Sequence, residues 1–396
     1  MPWLTLTSMS QRFEFVQAVL RRRDGQSIKS LCAQFGVQEK TGHKWLGRYA
    51  AGGPDALADR SHAPVVPAHR VPAELQTAIC ALRAAHPTWG ARKLRVVLAT
   101  RAPAIHWPAA STITSLLTRA GLITRRRRAL RERSAWATTT LTPARAPNDV
   151  WAADFKGQFR VRTGAYCYPL TVTDLHARYL LGVTVLPSVA GPAVQARFRT
   201  LFLEYGLPRV IRTDNGVPFG VPQALGGLSP LAVWWIRLGI RPERIHRGQP
   251  QENGAHERMH RTLKADTTRP PAASLGAQQQ RLTRWQHTFN TERPHEALGM
   301  TPPATHYGSS ARAFPKRLPM LEYPVHHELR RVNPCGAISW HGVRIFLSTV
   351  LAGEYVSLEE QHEGEWMIHF GPLMLGTYST TRLTFTDALA WADPMP

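Results

Sequence analysis

Asp154 in WAADFKG, Asp214 in IRTDNG and Glu257 in PQENGAHERMH are carboxylates set in apolar or basic surroundings. Oxygen ligands of this kind suit hard divalent cations such as Mg²⁺, which keeps several waters and needs only two or three protein carboxylates. Two such ions roughly 3.5 to 4 Å apart can hold the attacking and leaving oxygens of a phosphodiester in line. One carboxylate shared by both ions and one further acid for each is the smallest set that does so. Asn215 and Gly216, directly after Asp214, allow a sharp exit from a strand and a close approach of backbone to a ligand. Spacing by itself does not single out these acids, because a chain with 27 Asp and Glu holds many such triples.

The elements that must position them can be read from the hydrophobic pattern. The runs DVWAADFKGQFRV, AYCYPLTVTDL and ARYLLGVTVL are β-prone and are separated by RTG and by the short stretch 174–177, as in two successive hairpins. GPAVQARFRTLFLEYGLP predicts a helix closed by Gly206 and Pro208, RVIRT a short buried strand, SPLAVWWIRLGI a helix, and RPERIHRG a short strand. Helices over NGAHERMHRTLKAD and over Gln278–Thr291 follow. Strands and helices in this order predict a mixed sheet with helices on both faces. Asp154 then lies in the first strand, Asp214 follows the fourth, and Glu257 sits early in the helix after the fifth.

Helical geometry chooses between the two acids of QPQENGAHERMHRTLK. At about 100° per residue, Ala255, Met259 and Leu263 form an apolar stripe, while Glu257, His260, Arg261 and Lys264 are expected on the opposite, polar face. Glu252 precedes Asn253 and Gly254, where it would face solvent or compensate the helix dipole. His256 and His260 are left outside the metal set. Arg258, Arg261 and Lys264 could pair with acids along the helix or contact phosphates. Asp174 is expected to cap its own hairpin turn, Glu204 and Glu243 to be surface charges, and Trp234 and Trp235 to be core anchors.

A formal net charge of +22 favours a large polyanion, nucleic acid above all, over a small acidic substrate. No apolar run is long enough to span a bilayer and no signal-peptide pattern opens the chain, so a soluble, intracellular protein is expected. Cys32, Cys80, Cys167 and Cys335 lie far apart, without metal-ligand spacing, and support neither a disulfide framework nor a structural zinc site. Residues 27–50 predict helix, a tight turn at Gly36, and a second helix. Such a helix-turn-helix would present Gln38, Lys40, Thr41, His43 and Lys44 to a major groove. A second helical unit is expected to about Leu122, with Pro108 near the start of its last helix and Gly121 near its end. It is followed by a linker whose six arginines, Arg125, Arg126, Arg127 and Arg128 among them, would lie along phosphates. After about Val332, alternating runs such as GAISWHGVRIFL and EWMIHFGP predict a small antiparallel barrel or sandwich.

TDNG at 213–216, PQENGxxER with HRTLK behind it, and FNxxRPHxALxxxxP at 289–302 together resemble the integrase core of bacterial DDE transposases. The similarity is to the IS481-like branch, related to the IS3 transposases and retroviral integrases, and extends over nearly the whole chain. It implies an α/β ribonuclease H-like catalytic core with N-terminal helix-turn-helix units and a small C-terminal all-β domain. The family's two aspartates and its glutamate match Asp154, Asp214 and Glu257, which would hold two Mg²⁺ ions, with Mn²⁺ able to substitute. The expected partners are double-stranded DNA, as element terminal repeats and target, and further copies of the chain in a synaptic complex. The expected activity is metal-dependent DNA cleavage and strand transfer. Expected domains are a helix-turn-helix over 1–60, a second helical unit over 70–123, a basic linker over 124–147, the core over 148–310 and the β domain over 330–390. The interval from Asp214 to Glu257 is longer than in the IS3-type core, and VPFGVPQALGGLS can house the excess. Two other readings are a transposase-derived DNA-binding regulator that no longer uses the acids, and a nuclease of the same fold acting on RNA–DNA hybrids.

Overall fold

The computed structural model describes residues 7–23, 25–60, 71–123, 141–246, 249, 252 and 254–391. Arg125, Arg126, Arg127 and Arg128 lie outside the described residues. The chain forms two compact units, Met1–Pro72 and Ala73–Pro396.

In the first unit, α1 (Ser8–Leu20), α2 (Ile28–Gln34) and α3 (Glu39–Gly52) enclose Phe15, Val16, Val19, Leu31, Cys32, Trp45 and Leu57. Thr7 and Ser27 cap the first two helices through their hydroxyls. The α2–α3 turn depends on Gly36, whose φ of +65° is in the left-handed region, and Val37 N–H closes it on the Cys32 carbonyl at 2.9 Å. Gly42 has no side chain for a reason: a Cβ there would sit 2.4 Å from Cys32 Sγ and 2.9 Å from the Phe15 ring. Bare backbone is what lets α3 cross this close.

The second unit begins with α4 (Ala73–Ala85), α5 (Ala91–Arg101) and α6 (Ala110–Arg119), packed through Ile79, Leu82, Leu94, Ile113 and Leu117. The sheet is built from β1 (Val150–Phe155), β2 (Phe159–Arg160), β3 (Tyr166–Asp174) and β4 (Leu180–Leu186). After α7 (Gly191–Tyr205) come β5 (Val210–Thr213), α8 (Pro230–Arg237) and β6 (Arg241–Arg244), then α9 (Gly254–Thr267) and α10 (Leu275–Thr291). β1 pairs antiparallel with β3, and β3 with β4, while β1, β5 and β6 run parallel. One face of the sheet packs on α7 and α8 through Trp151, Phe198, Phe202 and Trp235. The other packs on α9 and α10 through Leu180, Val183, Met259, Leu263, Leu282 and Phe289. Asp266 at the end of α9 accepts hydrogen bonds from Thr88 (3.2 Å) and Trp285 Nε1 (2.9 Å), which ties the α4–α6 helices to this face.

The chain ends in β7 (Glu328–Arg331), β8 (Ala337–Trp340), β9 (Val343–Phe346), β10 (Tyr355–His362), β11 (Glu365–Phe370), β12 (Leu373–Ser379) and β13 (Thr384–Trp391). Of the barrel or sandwich expected here, the open, sandwich-like arrangement is the one that forms. Five strands form an antiparallel sheet in the order β13-β12-β11-β10-β7, and β8 and β9 form a separate hairpin over its apolar face. The third wall of that core is α8, whose Ala232, Val233 and Ile236 face the C-terminal sheet while Leu231 and Trp235 face the central one. A helix apolar on all sides is stable only when covered on both, which explains the sequence PLAVWWIR.

Candidate active site

Backbone register alone brings the two aspartates together. The parallel β1–β5 pair aligns Ala153 with Thr213, so the next residues, Asp154 and Asp214, stand side by side where the two strands end. The Asp214 turn is held twice: Gly216 N–H donates to Asp214 Oδ1 at 3.1 Å, and Asn215 Nδ2 donates to the Ile245 carbonyl at 2.9 Å. A Cβ on Gly216 would approach Asp214 Oδ2 to 3.2 Å, so the close backbone approach expected of this glycine is made to the carboxylate itself.

Across β1 on the other side, Asp154 is paired with Thr171 of β3. Thr171 Oγ1 donates its one proton to the Asp154 carbonyl at 3.0 Å. It lies 2.7 Å from both His256 Nε2 and His260 Nε2, so both imidazoles must be the donors to it. These two bonds dock α9 on the sheet. They also correct the expected helix face: His256 and His260 are buried beside Met259 and Leu263, while Glu257, Arg258, Arg261 and Lys264 face outward. A neutral imidazole can be buried among apolar side chains when a hydroxyl takes its N–H, a distinction that periodicity does not carry.

With Nε2 protonated, the His260 Nδ1 lone pair faces Asp154 Oδ2 at 3.7 Å. The ligand atoms of Asp154, His256 and His260 fall within 4.8 Å of one another. Burial pushes His256 down to about 3 and, with His256 and Lys156 adding to it, His260 down to about 2, so both are neutral. The Asp154 carboxyl is pushed up to about 7, first by burial, then by Asp214 and more weakly by Glu257, against the opposing pull of the Phe155 N–H and Lys156. Burial also raises Asp214. Electron-pair donors crowd here with too little positive charge to balance them, and the oxygens among them fit a divalent cation.

The other acids resolve differently. Glu252 does not face solvent: it accepts the His246 N–H (2.8 Å) and pairs with His246 Nδ1 (2.9 Å), closing the loop before α9. Glu243 is not a surface charge. It is buried, pairs with Arg212 Nε at 2.8 Å and accepts from both the N–H and the hydroxyl of Thr142. Asp174 is fully buried and caps its turn as expected, accepting from Asn148 N–H and Ala177 N–H at 2.7 Å each. Trp235 is fully buried in the core and Trp234 packs against it.

Beside α9 lies a cavity of about 500 Å³ lined by Lys93, Arg178, Arg258, Arg261, Thr262 and Arg293. Arg258 and Arg261, singled out from sequence, share it; Lys264 instead acts on Lys156, next to Asp154. Sequence reasoning missed Lys93 and Arg178 altogether. Arg293 was visible only as the arginine of the RPH run. Its Nη2 donates to Thr262 Oγ1 at 3.3 Å, while its Nε and Nη1 are buried without an acceptor among the described residues. Burial, and then Arg293, bring Lys93 down to about 8. On α3, Gln38, Lys40, His43 and Lys44 are exposed and Thr41 is half-buried, with Lys44 Nζ 5.1 Å over the Trp45 ring.

Residues 144–250 and 238–303 each match an integrase core domain, residues 11–64 a helix-turn-helix domain, and residues 41–117 a homeodomain-like domain. The chain is 26% identical over 245 residues to an uncharacterized 39.2 kDa protein of insertion element IS476 from Xanthomonas euvesicatoria, covering 61% of this chain and 66% of that one. It is 28% identical over 199 residues to an uncharacterized 31.7 kDa protein of insertion element IS407 from Burkholderia multivorans, covering 48% of this chain and 66% of that one. The chain thus spans just under two thirds of each relative. Among solved structures, the HTLV-2 integrase catalytic core domain in complex with magnesium aligns at 15% identity and a TM-score of 0.33, over 41% of this chain and 98% of that one.

Proposed function

We propose, from the premise that this chain is an integrase-core protein with amino-terminal helix-turn-helix domains and insertion-element relatives, that it is a DDE transposase. It binds the ends of its element as double-stranded DNA, hydrolyses a phosphodiester to free a 3′-hydroxyl, and joins that hydroxyl to target DNA. What carries this reading is the β1–β5 register that sets Asp154 beside Asp214, together with an α9 docked so that Glu257 acts on the same carboxyl. Asp154, Asp214 and Glu257 would hold two Mg²⁺ ions, which lower the pKa of the attacking oxygen and neutralise charge on the phosphoryl group when bound.

The chain's own residues do the rest. His256 and His260 keep α9 in place through Thr171, and Asn215 and Gly216 hold Asp214 at the strand end. The unpaired N–H groups of Arg293, with Arg178, Lys93, Arg258 and Arg261, offer phosphates a charge-assisted seat. Gln38, Lys40, Thr41, His43 and Lys44 are the candidates for base and phosphate contacts from α3. A synaptic complex joining two ends calls for more than one copy of the chain.

The reading is tested by incubating the full chain with a duplex from the DNA flanking its coding region and a plasmid target. Joined products that require Mg²⁺ are expected, and duplex left intact while an RNA–DNA hybrid is cleaved would replace the transposase by a nuclease. The cationic cavity makes its own prediction. Arg178→Ala with Arg293→Ala should weaken binding to every duplex alike, and the slope of log affinity against log salt should become shallower by roughly two. An unchanged slope in a salt-titrated gel shift would remove the cavity from the DNA path.

A further inference from the structure

A second cluster of ligating side chains lies on the C-terminal sheet, on the face turned away from its apolar core. In the β10–β11 pair Ser357 stands opposite His369, and Glu359, two residues on, points to the same face. β7 pairs Glu328 with Leu358, which brings the preceding residue, His327, alongside Glu359. The ligand atoms of His326, His327 and Glu359 lie within 4.8 Å of one another. His327 Nε2 and His369 Nε2 are each 3.6 Å from Glu359 Oε2.

Those separations are too long for hydrogen bonds. They suit ligands on neighbouring corners of a tetrahedron around zinc, where bonds of about 2.0 to 2.2 Å place donor atoms about 3.3 Å apart. Two details point to a ligand. His327 Nδ1 is hydrogen-bonded with Ser357 Oγ at 3.0 Å, which orients the ring with Nε2 toward Glu359. His369 Nε2 is buried and has no hydrogen-bond partner among the described residues. Three imidazoles and one carboxylate form a borderline donor set that suits zinc better than Mg²⁺ or Ca²⁺.

We propose that His326, His327 and Glu359 bind zinc and that His369, 3.6 Å from the same Glu359 oxygen, turns in as the fourth ligand, so that the metal fastens the segment entering β7 onto β10 and β11. The same segment is already anchored by Tyr323, whose hydroxyl donates to the Tyr355 carbonyl at 2.6 Å and accepts from Gly371 N–H at 3.2 Å. A metal staple suits a small sheet whose edge strands β7 and β13 do not pair with each other.

The test uses the full chain with Mg²⁺ in excess. Titration with Co²⁺ should produce the intense visible bands of a tetrahedral site, displaced by one equivalent of Zn²⁺, and Zn²⁺ should raise the melting temperature. His369→Ala and Glu359→Gln should each weaken Zn²⁺ binding more than about tenfold and abolish that rise. Asp154→Asn should leave the Co²⁺ spectrum unchanged. The proposal falls if the wild-type chain gives no tetrahedral spectrum. It falls equally if Asp154→Asn removes that spectrum while His369→Ala keeps it, which would assign the metal to Asp154, His256 and His260. Circular dichroism in chelator shows whether each variant is folded before its affinity is read.

Discussion

Glu257→Gln is expected to leave duplex binding within about twofold of wild type and to lower strand transfer about 10³-fold or more, equivalent to about 4 kcal/mol of transition-state stabilisation. Glu257 is exposed in the first turn of α9, and the contacts that dock the helix belong to His256, Met259, His260 and Leu263. An isosteric amide there keeps the helix and its packing and removes only a negative charge. Because the arginines and lysines remain, the polyanion is still held. The matching control is Glu252→Gln. Its carboxylate is committed to His246, so this variant should loosen the loop and keep strand transfer within about tenfold. Quantifying joined product alongside gel shifts decides the matter: a Glu257→Gln chain that joins ends at the wild-type rate in Mg²⁺ would end the assignment.

Asp154→Asn should make the metal-free protein more stable at pH 8, by on the order of 3 to 4 kcal/mol. Its carboxyl titrates near 7 in the folded chain, against an ordinary value of 3.8. Between those values the native state holds a proton that the unfolded chain has released. Stability therefore falls as pH rises through this window and stays low above it. The amide has no charge to desolvate, so parent and variant should be equally stable near pH 4 and diverge toward pH 8. Asp214, also raised by burial, adds a penalty of the same sign that both proteins keep. Mg²⁺ at pH 8 should restore the parent and have less effect on the variant, since ion and proton compete for one carboxyl. Denaturant unfolding in chelator across pH measures this, and a pH-independent difference between the two proteins would refute the electrostatic account.

Much of the integrase-core region is legible in the chain because local rules and tertiary demands agree there. β1, β3 and β4 follow their β-branched and aromatic runs, α7 stops at Gly206 with its φ of +77°, and Asp174 caps the turn its neighbours require. At the end of the chain, where a barrel or a sandwich was expected, the local pattern could not choose between the two. Alternation predicts strands, but closure depends on whether another element covers the apolar face, and here α8 does.

Sequence alone determined the order of strands and helices, the place of Glu257 early in α9, and the glycine turn between α2 and α3. Each follows from short-range periodicity, backbone stereochemistry and a motif held within a few residues. Tertiary structure alone decided which polar groups are buried and which charges meet. His256 and His260 turn inward because Thr171, on a strand distant in the chain, supplies the hydroxyl they need. Glu243 is buried because Arg212 and Thr142 meet it. Lys93, Arg178 and Arg293 line one cavity only after α5, the β3–β4 turn and the end of α10 have packed around α9. Periodicity ranks a side chain by its type, whereas the cost of burying it depends on partners that only the folded chain brings within reach.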